Sequence, residues 1–201
     1  MKTGEKISSS LKSAPYKKST KGLLKKNTMN TQLKLKKTNP APTYRKRTLS
    51  RLIAIQVFYQ FEFHEKKIAL EEIKNNVIDN YVLQQEDPIT SFRKRIDLGL
   101  LETLLTGISL GVDEIDHDIF GLLKEGWDLE KLPDVMVYIL RLGAFELKFM
   151  HDVPLKVVLD EYVDIAAGFF ENKKVTFLNA TLENLAKLYR AEEFEKVKSR
   201  K

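Results

Sequence analysis

From Thr48 onward, apolar residues return at steps of three and four in one segment after another, and no stretch alternates strictly between turn signals as a half-buried strand would. That periodicity confines the chain to helices packed on helices. The spacing predicts a first helix over about Thr48–Phe63, with Leu52, Ile55, Tyr59 and Phe63 on one face, and a second over about Ile68–Val82. Pro88 breaks the chain. A third helix is expected over about Ser91–Leu110 and a shorter fourth near Asp113–Lys124, ended by Gly126. The fifth, about Asp134–Met150, is so apolar that other helices must surround it. The sixth, about Leu155–Phe170, aligns Val158, Tyr162, Ile165 and Phe169; the seventh, about Lys173–Phe194, aligns Leu178, Leu182, Leu185 and Tyr189. Connections are short, so neighbours should pack nearly antiparallel. The expected fold is all-α, a compact bundle of about seven helices.

Charge divides the chain differently. Residues 1–51 hold 15 Lys+Arg against one acid, Glu5, a net +14, whereas residues 52–201 hold 19 against 27, a net −8. Residues 1–43 are rich in Lys, Ser, Thr and Asn, carry Pro15, Pro40 and Pro42, and lack helical period, so they read as a disordered Lys-rich leader before a folded domain over 44–201. Three readings of the leader stay open: a solubilising tail, an electrostatic tether for RNA, and, more weakly, a transit peptide. The absence of cysteine excludes disulfides, thiolate metal sites and a cysteine nucleophile. No apolar run approaches the roughly 20 residues that span a bilayer. No membrane role is expected, and a cytoplasmic location is.

Arg45, Lys46, Arg47 and Arg51 gather at the start of the first helix, where the macrodipole is already positive and each cation should cost about 0.3–1 kcal/mol. A bound anion would relieve that cost, and arginine can grip phosphate with two parallel bonds. The bland reading is a screened basic stretch. Asp160, Glu161 and Asp164 on the sixth helix, and Asp113, Glu114, Asp116, His117 and Asp118 near the start of the fourth, invite a metal or an acid–base reading. Solvated i,i+4 ladders and first-turn acids explain them better, and no calcium-loop spacing is present. The three histidines, His64, His117 and His151, lack zinc-ligand spacing, and there is neither a serine elbow nor a phosphate-binding glycine loop. No catalytic residue, metal or cofactor is expected. Arg141 and Glu146, charges inside the apolar fifth helix, should each pair with another helix. Trp127 reads as a plug at the base of the bundle.

Several stretches resemble the NusB family. Arg51-Leu-Ile-Ala-Ile-Gln56-Val-Phe-Tyr59 is similar to its opening R-x-x-A-x-Q-x-L-Y, and Leu104 to Ile108 with Ile115 and Asp116 to L-x-x-G-V…(L/I)-D. Leu140 to Leu147 and Asp152 to Glu161 are similar to L-R-x-A-x-Y-E-L…D-V-P-x-K-V-x-I-N-E, and Phe177 to Leu182 to F-V-N-G-V-L. The resemblance spans about residues 45–190. It implies two small helical subdomains, no catalysis, and transcription antitermination. The partners it implies are single-stranded boxA-type RNA of nascent ribosomal transcripts, ribosomal protein NusE, and the elongating RNA polymerase with other Nus factors.

By position it implies RNA contacts at Lys46, Arg47 and Arg51, with Phe177 stacking a base, and a partner contact at Tyr59. Lys173 and Lys174, in a loop where many relatives carry an acid, should strengthen phosphate attraction. Asn179 is assigned to capping or packing, and Ala180, in place of a glycine, to looser packing. Two alternatives are a helical protein–protein adaptor and a detached recognition module of an rRNA methyltransferase-like system. Such enzymes need a cofactor-binding α/β domain and a cysteine, and this sequence has neither.

Overall fold

A computed structural model describes residues 45–85, 94–123 and 129–199. The leader 1–43, Pro88, Gly126 and Trp127 lie outside the described residues. Those residues form seven α-helices and one 3₁₀ turn, Leu129–Lys131, with no strand among them. The helices are α1 (Lys46–Phe63), α2 (Leu70–Gln85), α3 (Leu98–Leu122), α4 (Asp134–Phe149), α5 (Leu155–Ala167), α6 (Asn172–Tyr189) and α7 (Ala191–Lys198). The number agrees with expectation through two differences that cancel.

The expected third and fourth helices are one helix, kinked at Gly111 (φ −125°, ψ 16°). The apolar series Leu101, Leu105, Ile108, Val112, Ile115 and Ile119 runs through the glycine with its period unbroken, so burial of that stripe outweighs the local weakness. The expected seventh helix is two, broken where Arg190 leaves helical geometry (φ −138°, ψ 49°). Its guanidinium then donates to four carbonyls: Nε to Leu147 O at 2.6 Å, Nη1 to Val153 O at 2.7 Å, and Nη2 to Glu146 O and Met150 O, both at 2.8 Å. A cation thus caps the C-terminal end of α4, where the dipole favours it, adding to the bonds that the Glu146 and Met150 carbonyls also accept from Met150 N and Val153 N. Next to it, Glu193 accepts from the Leu155 backbone N–H at 2.8 Å, an anion at the start of α5.

A single continuous cluster of buried side chains runs through α1 to α7. α4 lies at the junction, against α1, α3, α5 and α6, and eleven of its sixteen residues are buried. Two glycines let neighbours approach closely: a Cβ on Gly107 would stand 2.0 Å from the Phe145 ring, and one on Gly143 would stand 2.8 Å from Leu182. The face of α1 differs from expectation. Ile55 is buried as expected, but so are Leu49, Ile53, Ala54, Val57 and Phe58, whereas Leu52 and Tyr59 are half-buried and Phe63 is exposed. Helices pack on most of α1, so its solvent stripe is narrow. α5 buries Val158, Tyr162 and Ile165 as expected but leaves Phe169 exposed beyond its end. Ala180 is exposed, so the exchange of glycine for alanine touches no packing contact.

Candidate nucleic-acid interface

The first turn of α1 has no side-chain cap and no acid; Arg45 is its N-cap residue, followed by Lys46 and Arg47. Lys46 is exposed and no described residue pairs with it. The Arg47 guanidinium lies near Asp97, with Nε 3.9 Å from Oδ2, too far for a hydrogen bond, and that nitrogen has no hydrogen-bond partner. Asp97 is otherwise engaged: Oδ1 caps α3 by accepting from Leu100 N at 3.0 Å, and its backbone exchanges two bonds with the Ser50 hydroxyl. α6 begins in the same manner, with no side-chain cap, no acid in its first turn, and the exposed Lys173 and Lys174 there. These lysines are helical rather than in a loop, and Lys174 Nζ sits 5.6 Å over the Phe170 ring. Phe177 is half-buried one turn further along, packed against the core.

α5 connects the two helix starts. Its Glu161 meets the first turns of α1, and its C-terminal end leads through residues 168–171 into α6. From Glu161 to Ala167 the axial distance is about 9 Å.

Arg51 requires a correction. It is only 1% exposed and faces inward from α1, on the same stripe as Ala54 and Phe58, so it cannot meet a nucleic-acid strand. Nε and Nη2 donate to the two oxygens of Glu146 at 2.8 and 2.7 Å, and Nη1 donates to Glu161 Oε2 at 3.2 Å. Tyr162 OH donates to Glu146 Oε1 at 2.6 Å, and Thr48 Oγ1 to Glu161 Oε2 at 2.7 Å. Burial works against the Arg51 charge, but the Glu146 hydrogen bonds outweigh it and hold the guanidinium above its ordinary range. Burial and the Glu146 charge push the Tyr162 hydroxyl well above its own. The network ties α1, α4 and α5 together at one point.

The acidic cluster of α3 resolves into ion pairs. Asp116 grips Arg141 at 2.7 and 2.6 Å, and Lys148 meets Asp118 at 2.6 Å and Glu114 at 2.7 Å. Tyr189 OH adds a 2.7 Å bond to Asp118. The expected explanation, acids in a first helical turn, does not hold, because these residues lie past the middle of a continuous helix and neutralise cations of α4. Both charges inside the apolar helix therefore find partners on other helices, as expected. On α5, Lys156 and Asp160 do form the exposed i,i+4 pair, at 2.8 Å. Glu161, grouped with them by sequence proximity, belongs instead to the buried network. Asn179 bonds within its helix to Glu183 Oε1 at 3.2 Å. Among the described residues no His, Asp and Glu grouping could hold a metal ion, and no helix is long and apolar enough to cross a membrane.

The fold and its buried ion network define a small all-helical protein with basic helix ends. It belongs to the NusB family, whose model matches residues 48–187. The transcription antitermination protein NusB of Bradyrhizobium sp. (strain ORS 278) is 33% identical over 150 residues, 74% of this chain and 86% of that protein. Among solved structures, T. maritima NusB superposes with a TM-score of 0.58 at 28% identity, covering 74% of this chain and 96% of its own. A chain in the crystal structure of a plectonemic RNA supercoil shares the fold, with a TM-score of 0.60 at 23% identity over 74% of this chain and 99% of that one. Lys46 and Arg47 precede the matched stretch, and Arg190 follows it.

Proposed function

We propose that the protein is a non-catalytic, RNA-binding transcription antitermination factor that acts in the cytoplasm. The observation that carries this is the pair of helix starts with no side-chain cap and no acid in the first turn, Lys46 and Arg47 after Arg45 on one and Lys173 and Lys174 after Glu171 on the other, joined by α5. Backbone N–H groups at such ends, together with Lys46, Arg47, Lys173 and Lys174, suit the phosphates of a single strand, and Phe177 stands ready to stack a base. Arg51 supports the interface from behind rather than touching RNA. The ligand is boxA-type RNA of nascent ribosomal transcripts. Ribosomal protein NusE docks at Tyr59, where the exposed Phe63 one turn further on extends an apolar strip. The assembly then joins RNA polymerase and other Nus factors in the elongation complex.

Fluorescence anisotropy with a short boxA-type RNA tests the reading. Four phosphate contacts give a slope of log affinity against log salt of about −3, and Lys46→Ala with Arg47→Ala should bring it to about −1.4. Phe177→Ala should cost about 1–3 kcal/mol if the ring stacks. Binding that is insensitive to salt and to all three substitutions would overturn the assignment.

A further inference from the structure

Glu146 and Glu161 both meet Arg51, but they are placed to do different things. Glu146 is fully buried, takes both forks of the guanidinium and the Tyr162 hydroxyl, and is satisfied without Glu161. Glu161 is 16% exposed, and its Oε2 receives Thr48 Oγ1 and Arg51 Nη1, both from the first turns of α1. Its carboxylate is therefore the point at which α5 holds the end of α1 that carries Lys46 and Arg47. The same helix ends about 9 Å further along, and residues 168–171 lead from it to Lys173 and Lys174 in the first turn of α6.

We propose that Glu161, with Thr48, is a positioning residue: one carboxylate fixes the spacing between the two cation pairs, and so the register in which phosphates of a strand can meet both. This rests on the interface reading above. Glu161 does not touch RNA in this account; it acts through α1.

The sign of its effect separates this role from a purely electrostatic one. Removing a negative charge beside a phosphate site strengthens binding if charge alone matters. Removing the hold on α1 weakens it. Thr48→Val takes away the hydroxyl donor with shape and charge kept, and Thr48→Ser restores it.

The full chain is titrated with a short fluorescein-labelled boxA-type RNA across a salt series. Glu161→Gln and Thr48→Val should each bind about fivefold to tenfold more weakly. Their salt slopes should be flatter by about 0.7 for each phosphate no longer held, and Thr48→Ser should match the parent. A variant that is only less folded lowers the active fraction and leaves the slope unchanged, so an unchanged slope overturns the proposal. Glu161→Gln binding as tightly as the parent, or more tightly, also overturns it. The Lys46→Ala, Arg47→Ala variant keeps the two claims apart: if it binds normally, the interface itself is wrong; if it loses affinity while Glu161→Gln does not, only the positioning role falls.

Discussion

Replacing Arg51 with alanine should destabilise the bundle rather than blunt its surface. The side chain supplies two bonds to Glu146, at 2.8 and 2.7 Å, and one to Glu161, at 3.2 Å. Without it, a fully buried carboxylate keeps only the Tyr162 hydroxyl as donor. Breaking one side of such a pair costs about 3–5 kcal/mol, a large part of the roughly 5–15 kcal/mol that holds a domain together. For a chain of this size that lowers the melting temperature by about 12 °C. Arg51→Lys keeps the charge but loses the planar fork, and should sit between, at about 1.5–3 kcal/mol. Urea titration followed by helical circular dichroism reads both. Anisotropy with RNA, at a temperature where the alanine variant is still folded, should lose per folded molecule no more than Thr48→Val does, because only one of the two bonds from α1 to Glu161 is removed. A variant with an unchanged urea midpoint but a large, selective loss of RNA affinity would refute the reasoning, and would return Arg51 to the surface as a phosphate ligand.

Arg190→Met should cost about 3 kcal/mol or more, since four carbonyls lose a charged donor, and hydrogen exchange should speed up locally around Met150–Leu155. Gly107→Ala should cost about 1–3 kcal/mol by driving a methyl into the Phe145 ring; in thermal melts Phe145→Leu should recover part of it, and two additive losses would argue against that close approach. Asp118 is held below its ordinary 3.8, first by the Lys148 hydrogen bond and then by Tyr189, against a burial penalty. Its contribution is present above the unfolded value and lost as pH falls through the folded one, so Asp118→Asn should flatten the acid limb of a stability profile below about pH 4. Tyr162, Tyr138 and Tyr189 are all raised, chiefly by burial. Their stabilisation is complete below their unfolded values, so unfolding should become easier as pH climbs past about 10, by up to about 1.4 kcal/mol per tyrosine for each pH unit; an alkaline melt series with no such fall would contradict their burial.

The helices were legible because period survives local defects. Leu105, Ile108, Val112 and Ile115 already spelled one stripe across Gly111, and ending one helix at Leu110 and starting the next at Asp113 split a helix that burial keeps whole. Arg51 shows the opposite problem. Its stripe with Ala54 and Phe58 is as regular as that of Leu52 and Tyr59, which stay half-buried, and nothing in α1 alone decides which turns fully inward. The partners that settle it, Glu146 and Glu161, lie 95 and 110 residues away. The presence of carboxylates was visible, but their direction depends on tertiary packing. Lys46 and Arg47 were legible as cations at a helix start because that is a local property, whereas Lys173 and Lys174 were assigned to a loop and lie in the first turn of α6. Glu161 was missed, since locally it looks like one more acid beside Asp160.

The clamp made by Arg190 has a consequence for how the molecule comes into being. The carbonyls it satisfies at the end of α4 precede it by about forty residues. On the ribosome, the C-terminal end of α4 must wait, open to water, until the chain through Arg190 has emerged, so this end should mature only after α6 has been made.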